Sequence, residues 1–454
     1  MSAPAEQKSV QDRSQQPGAG AQVQTGSQIG EGTMRNLANR LAALLGDHQF
    51  LEMEQLLAQA DSASQAEEKP APEKLQMYRG VLANRENKPD ESIRELEPLL
   101  EQKKPDGTPT LAQEEEKLVR KTLAEDYLRA GDWAKAAQAY TSFKNQSALT
   151  PAELDEIELP LKLLPLAADH PSMTVEPGDA FSLPFDRDAL GLTDVPVFVD
   201  AQSHDWMLDP TAPFNLICRS TAKSVGLKVS EESATVHTIT GRPMVVHATV
   251  IPRFTLGTVT YRNMTAFVFE DADYYFPMTG YQVRGVLGYA AVSALGSITV
   301  TADAQIEVQP GARGERLTKG ARFFLDGERV IAELGKTNRP EDERAFVIDV
   351  AGQQTYLSSR YFAENSTEFA DKKMRLIQLP GLEDKPRVPA YVADSVTLQA
   401  GGTPMILNSI EVLTEPLSNA AVDDTYGTLG VDALDDLKSY TFDYRTMRFA
   451  VKSE

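Results

Sequence analysis

One cysteine, Cys218, and five histidines, at 48, 170, 204, 237 and 247, are all that 454 residues offer for disulfide or soft-metal chemistry. A lone thiol forms no internal disulfide, so cysteine usage leaves the redox compartment open. Cys218 lies in the apolar run Leu216-Ile217-Cys218, with no histidine or acid at a recognisable distance, and reads as a small buried side chain rather than a nucleophile. The histidines have no metal-ligand spacing, so neither a metal nor any other cofactor is expected. No apolar run approaches the roughly 18 residues of a membrane-crossing helix. Positive charge is scarce too: 45 Lys and Arg stand against 66 Asp and Glu, for a net charge of -21. An acidic surface of that size repels phosphate backbones and argues against a nucleic-acid partner. No apolar signal core follows Met1. Two compartments stay open: the cytoplasm, or the periplasm or exterior if a signal peptide has been removed.

At this length about three domains are expected. Residues 1–32, rich in Gln, Ser, Gly, Ala and Pro, read as a disordered leader. Over 33–150 apolar residues recur every three or four positions, as in Leu41, Leu44 and Leu45 and then Leu51, Leu56 and Leu57, which predicts amphipathic helices. A weak repeat runs through them: Gly46-Asp47-His48, Lys88-Pro89-Asp90 and Gly131-Asp132-Trp133 each precede a helix, with the aspartates 43 and 42 residues apart. The last copy (Ala124, Tyr127, Gly131, Asp132, Trp133, Ala136, Tyr140) resembles a tetratricopeptide helical hairpin. That resemblance implies a stack with a concave face for a protein or peptide partner. The plainer reading is that the aromatics are all core and the layer caps the next domain. Pro151, Pro160, Pro165 and Pro171 break the helical pattern and predict a linker over 151–174.

From 175 onward short β-branched runs bounded by turns take over, such as Val195-Pro196-Val197-Phe198-Val199 and Ala266-Phe267-Val268-Phe269. Three landmarks occur twice in one order. Met207-Leu208-Asp209, Gly285-Val286-Leu287-Gly288 and the strand ending at Asp303 are followed by Val347-Ile348-Asp349, Gly427-Thr428-Leu429-Gly430 and the strand ending at Asp443. The offsets are 140, 142 and 140 residues, which marks a duplicated module spanning 175–315 and 316–454. Each copy runs from a strand ending in aspartate through a turn and a short helix (Cys218 to Gly226, then Ser358 to Glu364) into further strands. The expected class is multidomain α+β: helical-hairpin repeats, then two tandem all-β lobes.

This grammar resembles the retropepsin-like aspartic peptidases, whose lobes carry hydrophobic-hydrophobic-Asp-Thr/Ser-Gly and, some 80 residues on, hydrophobic-hydrophobic-Gly. It is most similar to bacterial proteins that fuse two such acid-protease lobes behind an N-terminal helical repeat. The resemblance implies a catalytic pair, Asp209 and Asp349, one from each lobe. It also implies substrate contacts at Gly241, on the tip of a flap, and at Gly288 and Gly430. Two carboxylates within hydrogen-bonding reach share one proton; the ionised one takes a proton from water while the other donates to the peptide carbonyl. The chain departs from the motif at both aspartates, reading Asp209-Pro210-Thr211 and Asp349-Val350-Ala351-Gly352. Pro210 and Val350 lack the hydroxyl with which the family locks its two loops together. Thr211 and Ala351 stand where the family has glycine, and Gly352 comes one position late. Two readings stay open: a peptidase acting on a peptide or protein, or a non-catalytic peptide-binding scaffold derived from one. Self-processing of the leader or linker is a third. Fused lobes need no dimerisation, so a monomer suffices.

Overall fold

Three helical hairpins come first, and each turns where one residue adopts a left-handed backbone. The computed structural model describes residues 35–62, 72–188, 191–237, 243–311, 316–337, 339, 342–352, 354–379, 387–417 and 423–453. The expected leader and Gly241 lie outside the described residues. Helices α1 (Arg35–Gly46) and α2 (Phe50–Ser62) join around His48, with φ 54°. Helices α3 (Pro72–Arg85) and α4 (Pro89–Glu101) join around Asn87 (φ 57°), and α5 (Gln113–Arg129) and α6 (Trp133–Gln146) around Gly131 (φ 70°). These are the turns marked by the aspartate spacing, and Asp132 caps α6 by accepting from Lys135 N at 3.1 Å. Gly80 lets α3 and α4 touch, since a Cβ there would fall 2.4 Å from Leu96 Cδ2.

The expected linker is helical. Helix α7 (Pro151–Glu156) starts on a Thr150–Glu153 capping box, and α8 (Glu158–Ala167) follows at once. Pro151 occupies the first helical position and Pro160 the first turn of α8, where a backbone N–H has no partner inside the helix. Only Pro165 removes an interior hydrogen bond, and burial of Leu163, Leu164 and Ala167 holds the helix around it.

The two β modules are joined through one sheet. Six of its thirteen strands run Phe181–Pro184, Gln305–Gln309, Ser297–Thr301, Ser439–Asp443, Arg448–Lys452 and Ala321–Asp326, and the rest continue into the second lobe. At its centre Ser297–Thr301 lies antiparallel to Ser439–Asp443, pairing Ser297 with Asp443, Thr299 with Thr441 and Thr301 with Ser439. That register is its own image under exchange of the two strands at an offset of 142. A pseudo-twofold axis therefore passes between Thr299 and Thr441, whose hydroxyls bond at 2.8 Å. Asp303 and Asp443 are consequently not equivalents; the counterpart of Asp443 is Thr301. Asp443 is buried, held by Arg445 at 2.9 Å and by the Leu317 N–H at 3.0 Å. Beside the axis Phe323, Phe442, Tyr444 and Phe449 pack ring on ring, about 2 kcal/mol of transfer free energy for each buried ring.

The helical layer docks on the hairpin of the second lobe formed by Ala321–Asp326 and Arg329–Gly335. Phe50 meets Phe324 at 4.9 Å. Asp326 takes His48 Nε2 at 2.7 Å, Arg85 at 2.9 Å and Arg329 at 2.7 Å. Glu333, 2% exposed, accepts the Leu51 N–H at 3.0 Å.

Candidate active site

Each aspartate directly follows a strand that flanks the Gly-x-Leu strand, the middle one of a three-strand arrangement built the same way twice. In the first lobe Gln202–Leu208 runs parallel to Gly285–Leu287, which lies antiparallel to Leu216–Cys218. In the second, Glu343–Ile348 runs parallel to Gly427–Leu429, which lies antiparallel to Tyr356–Leu357. The ladder reaches each aspartate: Asp209 N donates to Leu287 O at 3.0 Å and Asp349 N to Leu429 O at 2.9 Å. Short helices Arg219–Ser224 and Ser359–Asn365 follow where the repeat placed them.

Each loop folds back on its own carboxylate. Thr211 N donates to Asp209 Oδ1 at 2.9 Å, and Ala351 N to Asp349 Oδ1 at 3.1 Å. The backbone donor two residues on, which the motif assigns to glycine, is thus kept in both lobes with a Cβ present. Gly352 leaves room for the carboxylate itself, since a Cβ there would fall 2.2 Å from Asp349 Oδ2. The glycine that comes one position late is the one against the carboxylate. In the first lobe Thr211 Oγ1 (2.6 Å) and Ala212 N (3.2 Å) also donate to Asp209 Oδ1. Among the described residues the donors to both carboxylates reach Oδ1, and neither Oδ2 accepts a hydrogen bond. The cross-loop hydroxyl lock is absent: Pro210 and Val350 are both buried, Val350 within the apolar core of the lobes.

Gly288 and Gly430 are also buried. A Cβ on Gly288 would meet Phe214 O at 2.5 Å and Ala212 O at 2.7 Å, and one on Gly430 would meet the Gln354 backbone at 2.8 Å. The nearest atoms to both glycines belong to the segments that follow the aspartates, Ala212 and Phe214 in the first lobe and Gly352 and Gln354 in the second. Their N–H groups point to residues that the sequence reading passed over. Gly288 N donates to Asn215 Oδ1 at 3.0 Å and Gly430 N to Thr355 Oγ1 at 2.9 Å. Asn215 and Thr355 are themselves 140 residues apart, a signal the repeat contained.

Burial raises the Asp209 carboxyl above the usual aspartate range; the Thr211 and Ala212 donors oppose this and the negative charge of Asp349 adds to it. The structure thus brings the two sequence-predicted aspartates within electrostatic reach. A third carboxyl lies nearby. Glu328, exposed at the surface, lines the space beside Pro210 and Thr211 of the Asp209 loop. Cys218 is buried, as its apolar context implied. Among the described residues no His, Cys, Asp or Glu cluster fits a metal ion, and no helix is long and apolar enough to cross a membrane.

Two β lobes about a pseudo-twofold axis, each with an aspartate at the end of a strand paired to a Gly-x-Leu-Gly segment, define a retropepsin-like fold behind a helical layer. Residues 195–291, which include Asp209 and Gly288, match the Aspartyl protease family. Among solved structures the chain is similar to a retropepsin-like aspartic protease from Rickettsia conorii at 15% identity, over 31% of this chain and 95% of that one, with a TM-score of 0.21. It is also similar to basic 7S globulin from soybean at 10% identity, over 61% of this chain and 97% of that one, with a TM-score of 0.38. No curated protein matches.

Proposed function

We propose that the chain is an aspartic peptidase whose dyad is Asp209 and Asp349. The observation that carries this reading is the twofold relation of two strand-terminal aspartates, each with Oδ1 held by the backbone N–H two residues on. Asp209 keeps its proton to higher pH than an ordinary aspartate, partly because of Asp349. One proton shared by the pair is what general acid–base hydrolysis needs: one carboxylate deprotonates water while the other protonates the peptide carbonyl. The loops lack the hydroxyl lock, but the joining sheet fixes the lobes to each other through backbone hydrogen bonds on either side of Thr299 and Thr441. No metal or cofactor is needed for this chemistry.

A second reading is favoured by Pro210 and Val350, whose apolar side chains replace that lock: a cleft that holds an extended peptide without cutting it. In either reading the ligand is a peptide or protein, and the helical hairpins, tetratricopeptide-like in their turns, offer a face for a protein partner. Cleavage of a mixed peptide library from about pH 3 to 7, by wild type and by the Asp209→Asn, Asp349→Asn double variant, separates the readings. The peptidase reading predicts cleavage by wild type and a loss on the order of 100- to 10,000-fold in the variant. Equal binding of peptides by both proteins, with cleavage by neither, contradicts it and supports the scaffold.

A further inference from the structure

The aspartate strands have two faces, and alternation fixes which one faces the cleft. Met207 lies two residues before Asp209, so their side chains leave the strand on the same side. The pairing register carries that side across the first lobe: Met207 is opposite Val286, Val286 opposite Leu216, Leu216 opposite Phe267, and Phe267 opposite Ala248. This row is the wall of the first lobe on the Asp209 side. The alternate row, Leu208, Leu287, Ile217 and Val268, points into the core of the lobes.

Helix α8 covers one end of this wall, at the strand that carries Ala248. Met207, Val286, Leu216, Phe267 and Ala248 share one apolar cluster with Ile157, Leu163, Leu164 and Ala167, that is, with helix α8 and the residue that leads into it. Helix α8 lies against strands Val229–His237 and Pro243–Leu256. It is pinned at both ends: Glu158 Oε1 meets His237 Nδ1 at 2.8 Å, and beyond its last turn His170 Nδ1 meets Thr265 Oγ1 at 3.2 Å. A cavity with about 60 Å³ for water centres lies between the helices and the Asp209 loop, lined by Lys121, Glu156, Pro210, Thr211 and Glu328 among others, room for a few waters. The second lobe is different. Its equivalent row is Val347, Thr428, Tyr356, Glu411 and Val392. All five are half-buried, and only Val347 packs against the helical cluster, whereas in the first lobe Val286, Phe267 and Ala248 are buried and Met207 and Leu216 half-buried. The sequences follow this division: five apolar side chains in the row that joins the helical cluster, a threonine and a glutamate in the row that does not.

We infer that helix α8 is an autoinhibitory occupant of the first-lobe half of the cleft, which an extended peptide must displace to reach Asp209. The inference rests on the peptidase reading of that cleft. The broken symmetry shows where access is blocked, and the short, proline-bearing α8 is the element that has to move. Its hold is an apolar face plus single polar contacts at either end, whereas the α1–α3 end of the layer is anchored separately on Asp326 and Glu333. Displacing α8 therefore leaves that seam in place.

Native methionines report the state of the wall without reference to activity. Peroxide oxidation of Met207, followed by peptide mass spectrometry, is compared with that of Met405, fully buried in the second lobe, in wild type and in a Leu163→Ala, Leu164→Ala variant. The expected result is slow oxidation of Met207 in wild type and a rise of at least tenfold in the variant, with Met405 unchanged. Met207 and Met405 rising together would show that α8 belongs to the common core, and fast oxidation of Met207 in wild type would show an open wall. Either outcome overturns the inference, as does a Met207 rate that the variant does not change. Should the double variant not fold, Leu163→Ala alone makes the same comparison. Cleavage reports separately on the aspartates: no peptide hydrolysis once Met207 is exposed contradicts the peptidase reading and leaves the α8 contact standing.

Discussion

Around Asp349 the contest is between the space a carboxylate needs and the Cβ that most residues carry. Gly352 settles it, since the nearest atom to an added Cβ would be Asp349 Oδ2 at 2.2 Å. Gly352→Ala is therefore predicted to push the carboxylate out of place and to lower kcat/KM by about 100-fold. The check is steady-state cleavage alongside a thermal melt, which should move little because Gly352 is only half-buried. The aspartates were legible in the sequence because duplication wrote them twice at one offset. The role of Gly352 was not, because linear spacing does not say which residue of a loop turns back on its own carboxylate. Thr211 and Ala351 fill the motif's glycine positions and still donate their N–H groups, since that bond asks for a backbone direction and not for a missing side chain.

Secondary structure was read from periodicity, and this succeeded where one period dominates. The hairpin turns at His48, Asn87 and Gly131 and the short helices after each aspartate lie where the repeat put them. Helices α7 and α8 were missed because proline density stands for a break only away from a first turn, and Pro151 and Pro160 both fall within one. Register was the other limit. A 140-residue offset for the final strands set Asp303 against Asp443, whereas hydrogen bonding pairs Thr299 with Thr441 at 142. That pair yields a prediction for the element: Thr299→Val removes one hydroxyl on the axis and leaves the other half-buried without its partner. A loss of about 1 kcal/mol in urea unfolding is expected, with an unchanged slope.

At the scale of the whole molecule the helices and the second lobe meet over two carboxyls with opposite demands. Burial would raise Asp326, but Arg85, His48 and Arg329 hold it well below the usual range. Its folded value is depressed, so its contribution is present above about pH 4 and is lost as pH falls through the folded value. Burial pushes Glu333 up to about 8, against the N–H bond from Leu51. Its folded value is raised, so the folded state is favoured at low pH and loses ground as pH rises from about 4.5 toward 8. Glu333→Gln keeps an acceptor for Leu51 N and removes the ionisation. Its melting temperature should match wild type near pH 4 and exceed it increasingly up to pH 8; parallel curves would show that Glu333 is not titrating in the seam.

The most direct test of the central claim, that Asp209 and Asp349 form one electrostatic pair across the pseudo-twofold axis, is a carbon-13 carboxyl titration of Asp209 in wild type and in Asp349→Asn. The account predicts that Asp209 titrates above the ordinary aspartate range in wild type and moves down when Asp349 is neutralised, while still held up by burial. An Asp209 titration that Asp349→Asn leaves unchanged would contradict it.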